Sequence, residues 1–117
     1  MFCLNDTMRY YLCPGVTDMR KGMNTLSGIV VNQMGQSLRF GDIFIFVNRK
    51  KDTVKLLSAE DGGLVLYIKK LSRGRFRLPE YKPGIKSFSM EWRDLVVMVE
   101  GIIENPDKRQ KRVIAPR

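Results

Sequence analysis

The feature that most constrains this chain is Ile43–Val47, an unbroken apolar, aromatic and β-branched run of strand length, followed by two more strand-length runs with turn chemistry between them. So short a run with no polar member predicts a strand covered on both faces, central in a sheet. Asn48–Asp52 turns the chain. Thr53–Ala59 and Leu64–Leu71 read as the next strands, joined across Glu60-Asp61-Gly62-Gly63, where Asp-Gly supplies the positive backbone angle that a tight hairpin requires. Ser72-Arg73-Gly74 leads through another turn into Arg75–Leu78, read as a further strand closed by Pro79. The middle of the chain is expected to form an antiparallel meander.

Something must cover the faces of that sheet, and the flanking segments supply two amphipathic helices. Met8–Cys13 reads as a short strand stopped by Pro14-Gly15. A helix capped by Thr17 or Asp18 follows, with Met19, Met23, Leu26, Ile29 or Val30, and Met34 on one apolar face, ending at Gly35. Toward the other end, Ser89 is expected to cap a helix whose inner face is Trp92, Leu95, Val96, Val99 and Ile102 or Ile103, with Glu91 near its positive end. The predicted fold is α+β: an antiparallel sheet of four to five strands with two amphipathic helices packed on it. Residues 1–104 form one domain in this reading, and residues 105–117 form a basic tail without core periodicity.

The 117 residues, 44% hydrophobic and 28% charged, suffice for one core without staples and exclude a disordered class. No apolar run reaches the roughly 18 residues of a membrane helix, and the first residues lack a leader's pattern, so a cytoplasmic protein without membrane contact is expected. Cys3 and Cys13 are the only cysteines and there is no histidine, which excludes a four-ligand Cys/His zinc site within one chain. Cys13, at the end of an apolar strand, reads as a small buried hydrophobe.

Catalysis finds little to work with. Asp18, Asp42, Asp52, Asp61 and Asp94 are scattered, and four of them stand where caps and turns want an aspartate, while Asp94 suits the first turn of a helix. Without histidine the commonest general base is absent, and Ser58, Ser72 and Ser87 have no evident activating partner. Gly22 and Gly28 are not followed by the Lys-Ser or Lys-Thr of a phosphate-binding loop. The expectation is a protein that is not an enzyme, holds no metal and uses no cofactor. A small nuclease survives only if several carboxylates converge in space.

Charge points elsewhere. The net charge is +9, from 21 Lys and Arg against 12 Asp and Glu, which favours polyanionic partners. Residues 1–48 carry net +1 and residues 49–117 net +8. Asn48-Arg49-Lys50-Lys51 places three long cations at a hairpin tip, where they can reach phosphates or merely keep the tip solvated. Lys69, Lys70, Arg73, Arg75 and Arg77 form a second cluster. In Arg75-Phe76-Arg77-Leu78 the strand period sends both arginines to one face, suited to nucleic acid or to protecting an edge strand from aggregation. Arg20 and Lys21 fall in the first turn of the expected helix, where the dipole disfavours cations. Either a bound anion offsets that cost at the free amides, or Arg20 pairs with Asp18 or another acid and fixes the turn.

Four segments, in order, carry a family resemblance: GVTDMRKG at residues 15–22, FIFVNRKKDTVKLL at 44–57, LYIKKLSRGRFRLP at 66–79 and VEGI at 99–102. Together they resemble the TnpB-type, Orf2-like accessory proteins of the insertion-sequence family sixty-six, over about residues 9 to 103. The resemblance implies a protein encoded beside a transposase in a bacterial mobile element and needed for its movement. One departure is visible: where relatives carry paired tryptophans and an Asp-Gly turn after the KLL segment, this chain has Ser58-Ala59-Glu60-Asp61. Charge and resemblance together predict an accessory protein that contacts DNA through Arg49, Lys50, Lys51, Lys69, Lys70, Arg73, Arg75 and Arg77, with Arg20 and Lys21 as an anion site. The rival is an adaptor that binds the transposase or another element-encoded protein.

Overall fold

The computed structural model describes residues 4–100. Its elements are β1 (Arg9–Leu12), α1 (Met23–Asn32), β2 (Asp42–Val47), β3 (Thr53–Glu60), β4 (Gly63–Lys70), β5 (Phe88–Met90) and α2 (Trp92–Glu100). The five strands form one sheet in the order β4-β3-β2-β1-β5. This is the expected α+β class, with one change of direction: β1 and β2 run parallel, and every other neighbouring pair is antiparallel. A parallel pair needs a crossover, and α1 provides it.

The continuous apolar run behaves as its composition requires. Every residue of β2 is buried, because the strand is central and both faces are covered. Ile43, Ile45 and Val47 join one core with Tyr10, Leu12, Val54, Leu56, Leu71, Phe76, Met90, Leu95 and Met98. Phe44 and Phe46 face the other way and pack with Leu57 against Leu26, Ile29, Val30 and Met34. One face is thus closed by α1, the other by α2 and the segment that leads from β4 to β5. In the β3–β4 hairpin Glu60 pairs with Gly63, and Gly62 takes the positive φ of 80° that the Asp-Gly turn predicted.

Three local expectations are corrected. First, α1 starts at Met23, with Gly22 at the N-cap and no side-chain cap. Thr17 and Asp18 are used elsewhere: the Thr17 amide donates to the Val47 carbonyl (2.9 Å), extending the chain beside β2. Second, Arg75–Leu78 is not a strand of the sheet. The period-two alternation survives, with Phe76 and Leu78 turned into the core and Arg75 and Arg77 exposed, but the segment crosses the α2 face. Its Phe76 amide donates to the Lys51 carbonyl (2.7 Å) and its Arg77 amide to Met98 (3.3 Å). The edge-strand reading of these arginines therefore fails, since the sheet's edges are β4 and β5. Third, Ser89 lies within β5, and Glu91 caps α2. The Asp94 carboxylate accepts the Glu91 amide (2.9 Å), half of a capping box at the positive end of the helix. Leu95 and Met98 form the buried face of α2, with Trp92 and Val99 partly buried beside them; Ile102, Ile103 and the basic tail lie outside the described residues.

Candidate nucleic-acid interface

The fold brings cations from four parts of the chain to one end of the sheet. The β2–β3 turn, Asn48–Asp52, forms the tip of that end. Asn48 organises it: its side-chain oxygen accepts the amides of Asp52 and Thr53 (3.1 Å each), and its amide nitrogen donates to the Asp52 carboxylate (2.7 Å). The Thr53 hydroxyl also donates to Asp52 (3.0 Å). These bonds hold the Asp52 carboxyl below its ordinary range, Asn48 contributing most and burial opposing. With the carboxylate turned back into the turn, the exposed Arg49, Lys50 and Lys51 are left at its outer side. Lys51 adopts a positive φ of 61°, unusual for a residue with a side chain, and its carbonyl receives the Phe76 amide.

Strand pairing carries the second cluster to the same place. Lys70 is opposite Thr53 and Lys69 opposite Val54, at the last positions of β4. Strand alternation puts Lys70 on the α1 face and Lys69 on the α2 face. The Leu71 amide donates to the Asp52 backbone carbonyl (2.7 Å), so Ser72–Arg75 passes directly behind the tip. Arg73 and Arg75 belong to this end. Arg77 is farther along, beside the end of α2.

The third contribution is the loop before α1. Val16, Thr17, Asp18, Met19 and Lys21 line one wall of an open depression of about 710 Å³, with Asn48, Arg49, Lys50, Asp52, Thr53 and Lys70 on the other. Because α1 begins two residues beyond Lys21, the expected conflict between Arg20 or Lys21 and the helix dipole does not arise. Arg20 takes the pairing alternative: its guanidinium donates to both Asp18 oxygens (2.7 to 3.1 Å), and its backbone amide donates to the same carboxylate (2.9 Å). These bonds hold the Asp18 carboxyl well below the ordinary carboxylate range. Lys21, by contrast, faces the depression.

One charged group that sequence reasoning missed positions this end of the fold. Lys55, in the middle of β3 and only 7% exposed, reaches across the α1 face and donates to the carbonyls of Met19 (2.7 Å) and Lys21 (2.8 Å). It fastens the loop that carries Lys21 to the sheet. The signal was present: a lysine inside a strand covered on both faces must find acceptors. At the opposite end Asp42, fully buried, is not a turn aspartate but the first residue of β2, paired with Arg9 and, at 3.7 Å, with Arg39. Asp18 and Asp52 line the depression, Asp61 is in the hairpin turn, and Asp94 caps α2. Among the described residues no group of three or more Cys, Asp or Glu is placed to hold a metal ion. Cys13 is only half-buried at the margin of the α1 core, not the fully buried hydrophobe expected, and that burial raises its thiol pKa; Cys3 lies outside the described residues. No helix among the described residues is long and apolar enough to cross a membrane.

Comparison with known proteins agrees with the motif reading. The model of a family described as IS66 Orf2 like protein matches residues 8–109, extending slightly into the basic segment beyond Asn105. Two proteins of Sinorhizobium fredii (strain NBRC 101917 / NGR234) are similar, both named as uncharacterized. Protein y4jC is 30% identical over 90 residues, 77% of this chain and 77% of its own length. Protein y4hO is 30% identical over 84 residues, 72% of this chain and 73% of its own. No solved structure matches.

Proposed function

The chain belongs to the IS66 Orf2-like family, and from that premise we propose that it is a non-catalytic accessory protein of transposition that binds nucleic acid, DNA in the first instance, through the basic end of its sheet. The family suggests the accessory role. The observation that supports the binding mode is the convergence of Lys21, Arg49, Lys50, Lys51, Lys69, Lys70, Arg73 and Arg75 on one end of the molecule, from segments far apart in sequence. Asp18 and Asp52, the acids among them, are engaged by Arg20 and by Asn48 and Thr53. The contacts expected are to phosphates, since long cations on a tip and an open depression offer no rigid array for base edges and no aromatic platform for stacking.

Binding of this kind releases counterions, so five or six phosphate contacts on duplex DNA give a log–log salt slope of roughly −4.5 to −5.4. Replacing Arg49, Lys50 and Lys51 with Ala removes up to three contacts and flattens the slope by about 2.7, with the thermal melt nearly unchanged. The titration is done with element-end and unrelated DNA, each with and without transposase. A slope near zero, or one that the triple variant leaves unaltered, defeats the proposal. Affinity seen only with transposase present transfers the basic end to the adaptor role.

A further inference from the structure

β4 is a sheet edge of an unprotected kind. Gly63–Ile68 carries neither charge nor proline, the devices by which edge strands discourage pairing. Ile68 is 61% exposed, while Leu64 and Leu66, on the same face, are only partly buried against the α1 core. The direction of the free backbone groups is fixed by one hydrogen bond. Leu71 donates its amide to Asp52 in the β3–β4 register, so odd-numbered residues of β4 address β3. The backbone groups of Leu64, Leu66, Ile68 and Lys70 therefore point outward. Among the described residues nothing pairs with them. The charges flanking this edge are polar in arrangement: Glu60 and Asp61 at one end, Lys69 and Lys70 at the other.

We propose that the outer edge of β4 pairs antiparallel with β4 of a second copy of this chain, about a twofold axis at Leu66, to make one continuous ten-stranded sheet. The register follows from the outward backbone groups. Leu66 meets Leu66 of the second copy, Leu64 meets Ile68, and Gly62 meets Lys70. A twofold perpendicular to the sheet keeps like faces together, so Ile68 is covered by Leu64 of the other copy. Leu66–Leu66 and the two symmetry-related Leu64–Ile68 pairs exchange about six backbone hydrogen bonds. Charge selects this occupant and this direction: antiparallel self-pairing brings Asp61 of each copy beside Lys70 of the other, whereas parallel self-pairing would set lysine against lysine. The proposal is independent of what the basic end binds.

The test is sedimentation equilibrium of the full chain without nucleic acid, across a concentration series, with thermal melting to confirm that each variant folds. The wild-type protein is expected to dimerise, and Ile68→Lys, on an exposed position, to raise the dimer dissociation constant at least about tenfold, because it sets an ammonium against Leu64 of the second copy in the pairing. Asp61→Lys and Lys70→Asp should each weaken the dimer about fivefold or more, and the double swap should restore it, because only the swap re-forms both cross-copy pairs. A wild-type protein that stays monomeric throughout overturns the proposal. So does a dimer indifferent to Ile68→Lys, or charge variants whose effects simply add.

Discussion

Lys55→Met tests how the basic end is built. Methionine keeps most of the length and apolar stem of lysine but removes the ammonium that bonds the Met19 and Lys21 carbonyls. A hydrogen bond from a charged donor contributes about 1.5–3 kcal/mol, so deleting two sets an upper range of about 3–6 kcal/mol. Two effects reduce it: Met19 and Lys21 are only partly buried, so water can replace the lost donor, and the variant no longer desolvates an ammonium. The net cost expected is about 2 kcal/mol, a fall in melting temperature of roughly 8 °C for a domain of this size. The loss should be local as well as global. The Lys21 amide bonds the Asp18 carbonyl (3.1 Å) within the loop that Lys55 fastens, so its hydrogen exchange should accelerate more than that of β2 amides. Salt-sensitive nucleic-acid affinity should drop with it, because Lys21 is no longer held at the depression that Arg49 and Lys70 also line. Chemical denaturation with residue-resolved exchange is the assay. Unchanged stability together with unchanged exchange at residues 17–22 would refute the fastening role.

Two further outcomes are expected. Trp92→Ala should cost about 2–3 kcal/mol, below the 3–5 of a fully buried aromatic, because Trp92 only partly enters the core beside Tyr10, with ring centroids 6.0 Å apart; a melt shifted by less than about 0.5 kcal/mol would remove it from the core. The Asp52 carboxyl titrates below its ordinary value near 3.8 in the folded protein, so its ionised form favours the fold: this stability is fully present above that value and is lost as pH falls through the lower folded value. Acid should loosen the β2–β3 turn, and Asn48→Ala should shrink the pH dependence, read from melts between about pH 2 and pH 6; an identical profile in the variant would mean that Asn48 is not the cause.

What was legible in the sequence was local. The β3–β4 hairpin follows from two apolar runs and an Asp-Gly turn a few residues apart, and the burial of β2 follows from its unbroken composition. The inward face of α1 was also readable, since Leu26, Ile29, Val30 and Met34 keep helical spacing whatever surrounds them. The errors arose where a distant partner decides. Thr17 looks like a helix cap until Val47 takes its amide, and Arg75–Leu78 alternates like a strand yet lies across the α2 face, with its Phe76 and Arg77 amides bonded to the Lys51 and Met98 carbonyls. The parallel direction of β1 is decided by the crossover through α1. Of the candidate site, every cation of the hairpin tip was evident from charge, but its convergence with Lys21 and Lys70 depends on strand register and on Lys55, whose role only the tertiary fold reveals.

The pairing of β1 with β5 has a consequence for how the chain comes to be folded. Tyr10 pairs with Met90 and Leu12 with Phe88, so strands from opposite ends of the described chain lie side by side. Loop closure over such a separation is the slow, entropically costly kind, whereas the β2–β3–β4 meander closes through short turns. During synthesis the meander can assemble first, while β1, docked on β2, waits with an open edge until Phe88–Met90 emerges. That interval is when a misplaced strand, a chaperone or a protease competes for the edge, and when a truncation upstream of residue 88 makes the open state permanent.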